Sequence, residues 1–176
     1  MRETASYQYQ FDLIFLSDCI IPPMSPEYEI KSEGIMEVCR TILVTTDGFV
    51  CIGKRPRGGF MGGYWCLVGG KAEGRELGAE ADRETGEELG LPLSKISDEA
   101  HPVFAFSQDR QLGGTTYRNN YFIREIDDAA IPDILENFNC REFSEIAFVG
   151  PEDVRGIRFA FGNGKALRYF FKYVGN

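Results

Sequence analysis

The chain has 176 residues, about one domain's worth and enough to bury a core without a disulfide or metal staple. Its 27 acids against 19 bases leave a formal net charge of -8, which argues against a nucleic-acid backbone or an anionic membrane as main partner. A small anionic substrate stays open, because net charge does not describe one pocket.

Five cysteines with no Cys-x-x-Cys pair argue against a disulfide framework or a zinc site and for a reducing, cytoplasmic setting. The single His101 excludes multi-histidine metal sites. No secretory signal is visible. Phe11 to Ile21, the longest apolar stretch, is too short and too interrupted by Asp12 and Asp18 to cross a membrane.

In chain order, residues 7–21 read as a strand or strand pair before the break at Pro22, Pro23 and Pro26. Residues 35–46 predict a strand, Asp47-Gly48 a hairpin turn, and 49–54 the returning strand. A basic, glycine-rich loop (Lys54, Arg55, Arg57 and on to Gly63) leads into the apolar run 64–68 and then Gly69-Gly70. Residues 77–89 predict the main helix, stopped by Gly90 and Pro92. Strands follow at 102–106 and 115–126, with Gly113-Gly114 as a turn. Residues 127–140 read as an irregular connection, 145–149 as a strand, Gly150 to Asp153 as the opening of a short helix, and 163–174 as a helix capped by Asn163. This order predicts an α+β fold, with residues 1–34 as a strand-forming N-terminal extension before a domain over 35–176.

On the helix, Glu80, Glu84, Glu87 and Glu88 fall within an arc of roughly 100°. Like charges one turn apart repel. A hard cation, Mg²⁺ or Mn²⁺, would turn that repulsion into binding and join substrate phosphates. A solvated acidic face is the plainer reading of the stripe. The setting favours the metal: a double glycine, a short loop, an acidic helix, then Gly90. Arg83 is placed to pair with Glu87 at i, i+4. Between Glu73 and Glu88 there are seven acids and two bases, so this window holds five of the eight net negative charges.

Gly70, five residues, Glu76, and then Arg83-Glu84-Thr85-Gly86-Glu87-Glu88-Leu89-Gly90-Leu91 resemble the signature of the Nudix hydrolases. Lys54-Arg55, Gly63-Tyr64-Trp65, Gly69-Gly70-Lys71 and the stretch from Glu142 to Val154 resemble the family's flanks. The resemblance covers about residues 35–174. It implies an α/β/α sandwich whose mixed sheet is flanked by helices. It also implies a small nucleoside diphosphate derivative as substrate, cleaved by water attack on a phosphorus with Mg²⁺ or Mn²⁺ as cofactor. Glu84, Glu87 and Glu88 would hold the metal, Arg83 would orient a glutamate, and Glu142 or Glu145 would act as general base, Glu136 being weaker. Lys54, Arg55, Gly69, Gly70 and Lys71 would meet the substrate.

Two departures stand out. Six residues rather than seven separate Glu76 from Arg83, so the missing residue falls in the loop and Glu76 moves to the helix start, a favourable place for an anion. Thr85 stands where the family has an aliphatic residue, which predicts slightly weaker packing. Lys54-Arg55, Thr85 and the ending from Asn163 to Phe170 resemble the GDP-mannose mannosyl hydrolases, which attack the sugar carbon with a histidine base. Phe143 stands about where that histidine would fall, which favours phosphorus attack, with a nucleotide sugar kept as candidate substrate. The remaining alternative is a non-catalytic Nudix-like binding domain. Arg110 and Arg118 are further candidate substrate contacts. Trp65 and the cysteines read as core residues, His101 as structural or exposed, and a homodimer through residues 1–34 is an open expectation.

Overall fold

A computed structural model describes residues 34–97 and 101–173. The strands predicted at 7–21 lie outside them. Among the described residues six strands form one mixed sheet: β1 (Ile35–Val44), β2 (Val50–Lys54), β3 (Trp65–Cys66), β4 (Val103–Leu112), β5 (Thr115–Glu125) and β6 (Glu145–Val149). The order is β3-β2-β1-β5-β4, and β6, off this path, pairs with β2 along Val50–Lys54. β1 runs parallel to β5 along its whole length, from Ile35 opposite Thr116 to Val44 opposite Glu125. The other strand pairs are antiparallel.

β1 is buried without interruption from Val38 to Val44, as expected of a central strand covered on both faces. Successive residues point to opposite sides. Leu43 and Cys51 meet the packing under Leu89, Ile96 and Ile134, from helices α1 (Leu77–Leu89), α2 (Leu93–Ile96) and α3 (Ile131–Asn137). Ile42, Val44, Val50 and Ile52 face the other way, against Ala166, Leu167 and Phe170 of helix α4 (Asn163–Tyr173). The result is the predicted mixed sheet between helical layers.

The Asp47-Gly48 turn is present: Gly48 N–H donates to Thr45 O and Thr45 N–H to Phe49 O. Other expectations need correction. β4 runs on to Leu112 and pairs with β5 right up to Gly113-Gly114. Its alternation is illegible because the strand lies at the sheet's edge and its outer half is exposed on both faces. Residues 127–140 contain α3, whose Pro132 lies in the first turn, where a missing N–H is harmless. Asn163 does not cap α4 as read; its Oδ1 accepts from Leu67 N–H at 2.9 Å and ties α4 to the end of β3. Thr85 is fully buried, and its hydroxyl bonds Thr41 Oγ1 (2.9 Å) and Ala81 O (2.7 Å). A paired hydroxyl inside a core need not destabilise, so Thr41 on β1 compensates for the expected loss. Three of the four described cysteines are buried, while Cys140 is exposed, against the core reading. Among the described residues no helix is long and apolar enough to cross a membrane.

Candidate functional site

Helix α1 is positioned at both ends. Glu76 is its N-cap and accepts from Gly78 N–H and Ala79 N–H, each at 3.0 Å, two donors a helix start leaves unsatisfied. These amides hold the Glu76 carboxyl below its usual range. At the other end Gly90 takes the left-handed conformation, φ 70°. In between, Asp82 joins the buried Arg124 of β5 at 2.7 Å, and Ala81 packs on Cys39 and Phe122.

The segment before the helix lies along β1: Thr41 N–H donates to Val68 O, Cys39 N–H to Gly70 O and Ala72 N–H to Glu37 O. The approach is close enough to require glycine at two positions. Gly69 has φ +129°, and a Cβ there would lie 2.1 Å from Cys39 O. A Cβ on Gly70 would lie 2.5 Å from the Glu84 carboxylate. The double glycine therefore seats two helix glutamates: Glu84 against Gly70, and Glu88 through a 2.6 Å bond from Gly69 N–H.

Arg83 joins the rest of the stripe. Its Nε donates to Glu80 at 2.9 Å, its NH1 to Glu87 at 2.8 Å, and its NH2 to Glu84. The four glutamates do not form one set. Glu80 turns away into a buried contact with the loop, accepting also from Glu73 N–H and Arg75 N–H. Burial alone would push its carboxyl up; Arg83 and the two loop amides outweigh that and hold it low. Glu84 and Glu88 behave oppositely. Burial pushes both up, Glu88 to about 8, with Glu84 and Glu142 adding repulsion at Glu88.

The sign of the Glu88 shift fixes a measurable slope. The folded chain binds that proton more tightly than the unfolded chain, whose carboxyl has the ordinary 4.5. Stability then falls as pH rises from about 4.5 to about 8 and levels off above it. In metal-free protein the urea midpoint should drop between pH 5 and pH 8, and Glu88→Gln should remove most of that drop. A midpoint in Glu88→Gln that still falls as in the parent would contradict the upward shift at Glu88.

Carboxylate oxygens suit a hard divalent ion. Among the described residues, no three acidic, cysteine or histidine side chains stand close enough to hold one as they are. The Arg83 guanidinium lies between Glu84 and Glu87 instead.

Lys54, at the end of β2, pairs with Glu145 at 2.9 Å and lies over the Trp65 ring, 5.2 Å from its centre. Trp65 is half-buried rather than fully in the core. Arg55 donates to Phe60 O and faces the Phe161 ring at 5.3 Å. Lys71 is exposed, its backbone paired with Val38. Glu142 is close enough to Glu88 to raise its pKa. Glu136 is exposed on α3. Arg118 is held by Asp109 and Glu37. Arg110 is exposed on β4, and so is His101. Phe143 is fully buried against the bare backbone of Gly53.

Arg40 escapes a sequence reading. It is 6% exposed, donates to Gly69 O, and faces the same Phe161 ring at 4.8 Å. Among the described residues its Nε has no hydrogen-bond partner, and its charge lowers the pKa of Glu84 and Glu88. The only signal was an arginine inside an apolar strand.

The sequence model of the NUDIX domain matches residues 37–170. A search of curated proteins found no match. Similar solved structures include the MutT protein of Methanosarcina mazei Go1, at 17% identity and TM-score 0.56, covering 80% of this chain and 93% of that one. The MutT NUDIX hydrolase of Burkholderia pseudomallei aligns at 17% identity and TM-score 0.59, over 77% and 97% of the two chains. A C. elegans Ap4A hydrolase, solved as a binary complex, aligns at 14% identity and TM-score 0.59, over 80% and 98%. At such identities the structures speak for the fold alone. The family match spans most of the chain, including the double glycine, Arg83 and the helix glutamates, and this chain accordingly belongs to the Nudix hydrolase family.

Proposed function

We propose that this chain is a divalent-metal-dependent hydrolase that cleaves the diphosphate of a nucleoside diphosphate derivative, nucleotide sugars being the first candidates, by water attack on a phosphorus. The observation that carries the reading is the seat made by Gly69 and Gly70. It holds the Glu84 and Glu88 carboxylates against backbone that carries no side chain, with Glu87 one turn away on Arg83. Glu84, Glu87 and Glu88 would hold Mg²⁺ or Mn²⁺. A bound ion would neutralise the charge carried by the phosphate oxygens and by the leaving phosphate.

The chain's own groups do the remainder. Gly69 and Gly70 let the diphosphate come close to the backbone. Arg55 and the buried Arg40 add positive charge, with no carboxylate in ion-pair contact with either among the described residues. Lys54 is tied to Glu145, which leaves Glu142 the better placed to take the water's proton. The water oxygen bonds to phosphorus as the bridging P–O bond breaks, and the leaving phosphate carries off the electron pair.

Attack at the sugar carbon is the second reading. It lacks its base, because the position of the expected histidine is held by Phe143, apolar and fully buried. A panel of nucleoside diphosphate derivatives, with and without Mg²⁺, tests the proposal. Turnover should require the ion, and in ¹⁸O water the label should enter a phosphate product. Label on the sugar hydroxyl would support the mannosyl-hydrolase reading. No turnover on any member, with no Mg²⁺ binding by calorimetry, would leave the non-catalytic binding domain. The homodimer expectation rests on residues 1–34, nearly all of which lie outside the described residues.

A further inference from the structure

The shortened box leaves its first glutamate in a different job. Both carboxylate oxygens of Glu76 are engaged by Gly78 N–H and Ala79 N–H, and among the described residues no hydrogen bond or ion pair joins it to Arg83. Glu80, four residues on, has a side chain with no exposed surface. Its Oε2 accepts from Arg83 Nε at 2.9 Å, and its Oε1 accepts from Glu73 N–H at 3.1 Å and Arg75 N–H at 3.4 Å. A guanidinium is a rigid plane with its donors at fixed angles. Fixing Nε therefore fixes where NH1 and NH2 point, and they point at Glu87 and Glu84. The same carboxylate ties the 73–75 loop to the helix.

We propose that Glu80 is a positioning residue for the metal carboxylates, holding Arg83 and the loop in register in place of Glu76. This rests on the functional reading above, in which Glu84, Glu87 and Glu88 hold the ion. Glu80 itself stays out of the coordination set, because all its contacts turn toward the loop and Arg83. It partly neutralises Arg83, so that the guanidinium orients Glu84 and Glu87 without displacing a cation from them.

Glu80→Gln separates its two contacts. The amide oxygen can still accept from the loop, but the amide NH₂ would face Arg83 Nε–H, donor against donor. The Mn²⁺ dissociation constant, read from free-ion electron paramagnetic resonance, should rise about tenfold, as for partners that orient metal ligands. In Glu76→Gln the unfolding temperature should drop while Mn²⁺ affinity stays within about twofold of the parent. Equal Mn²⁺ affinity in Glu80→Gln and the parent, or the same loss in both variants, overturns the inference.

A second readout needs neither metal nor a folded variant. In ¹⁵N spectra of the metal-free parent, the Arg83 Nε–H should exchange with water far more slowly than that of the exposed Arg57. Equal exchange overturns the inference even if the parent binds no Mn²⁺, an outcome that by itself would sink the functional reading instead.

Discussion

Replacing Glu87 with Gln should lower kcat by at least about a hundredfold while the thermal unfolding midpoint stays within about 2 °C of the parent's. The two halves of that expectation have separate causes. The Glu87 side chain is 60% exposed and its polar contact is Arg83 NH1, an exposed pair of the kind that contributes little to folding. Its helix is held to the sheet elsewhere, through Ala81 and Asp82. For the reaction, by contrast, the substitution removes a carboxylate proposed to hold the ion. Partners that merely orient metal ligands already cost 10–100-fold, so loss of a ligand should start at the upper end. Steady-state kinetics at saturating Mg²⁺ and a thermal melt decide the matter together. Unchanged turnover removes Glu87 from the metal set; a collapsed melt means the residue is structural.

Gly69→Ala should destabilise the chain by about 4 kcal/mol or more, or prevent folding. The added Cβ would lie 2.1 Å from Cys39 O and 2.9 Å from Arg40 Cα, so the intruded atoms are backbone of the central strand and cannot swing aside. The φ of +129° adds strain for any L side chain. Relief requires parting residues 68–72 from β1, which removes the amide that Glu88 accepts and moves Arg40 with it. Gly63→Ala is the matched control: its φ is +79° with nothing within 4 Å, so only the conformational cost of about 1–2 kcal/mol applies. Urea denaturation of both variants should show a large gap between them. Equal, small losses would mean that residues 68–72 do not hug β1 as described.

The parts of the molecule that could be read from sequence share one property: their signals are local. Helix α1 announces itself through Gly90, Pro92 and the alanine-rich run, and the Arg83 pairing with Glu87 follows from one helical turn. Glu76 could be placed at the helix start because a missing residue is tolerated in a loop and not inside a helix. Glu80 was misread for the converse reason. A helical wheel sorts residues by angle alone, and nothing in it records that the chain from 73 to 75 folds back onto that face. Thr85 and Thr41 are 44 positions apart, so a polar intrusion in the helix and its remedy in β1 look unrelated until the sheet brings them together. Arg40 is the same case in reverse, a charge that the strand pattern cannot place. β4 was cut short because an edge strand exposed on both sides carries no alternation.

The C-terminal end of α1 is stitched to the segment after α3. Asn139 N–H donates to Glu88 O, and the amides of Glu142 and Phe143 both donate back to Asn139 O. Gly90 lies so close to Asn137 O that only glycine fits there. The separation between the helix glutamates and Glu142 is thus held by a short run of main-chain bonds, with Phe143 and Leu89 packed in one core beside it. Hairpin β4–β5 and the basic loop at 55–63 lie outside that run. Insertions or exchanges there can reshape what the enzyme accepts while the span between its acidic groups stays constant, so substrate range and chemical competence can diverge independently in this chain.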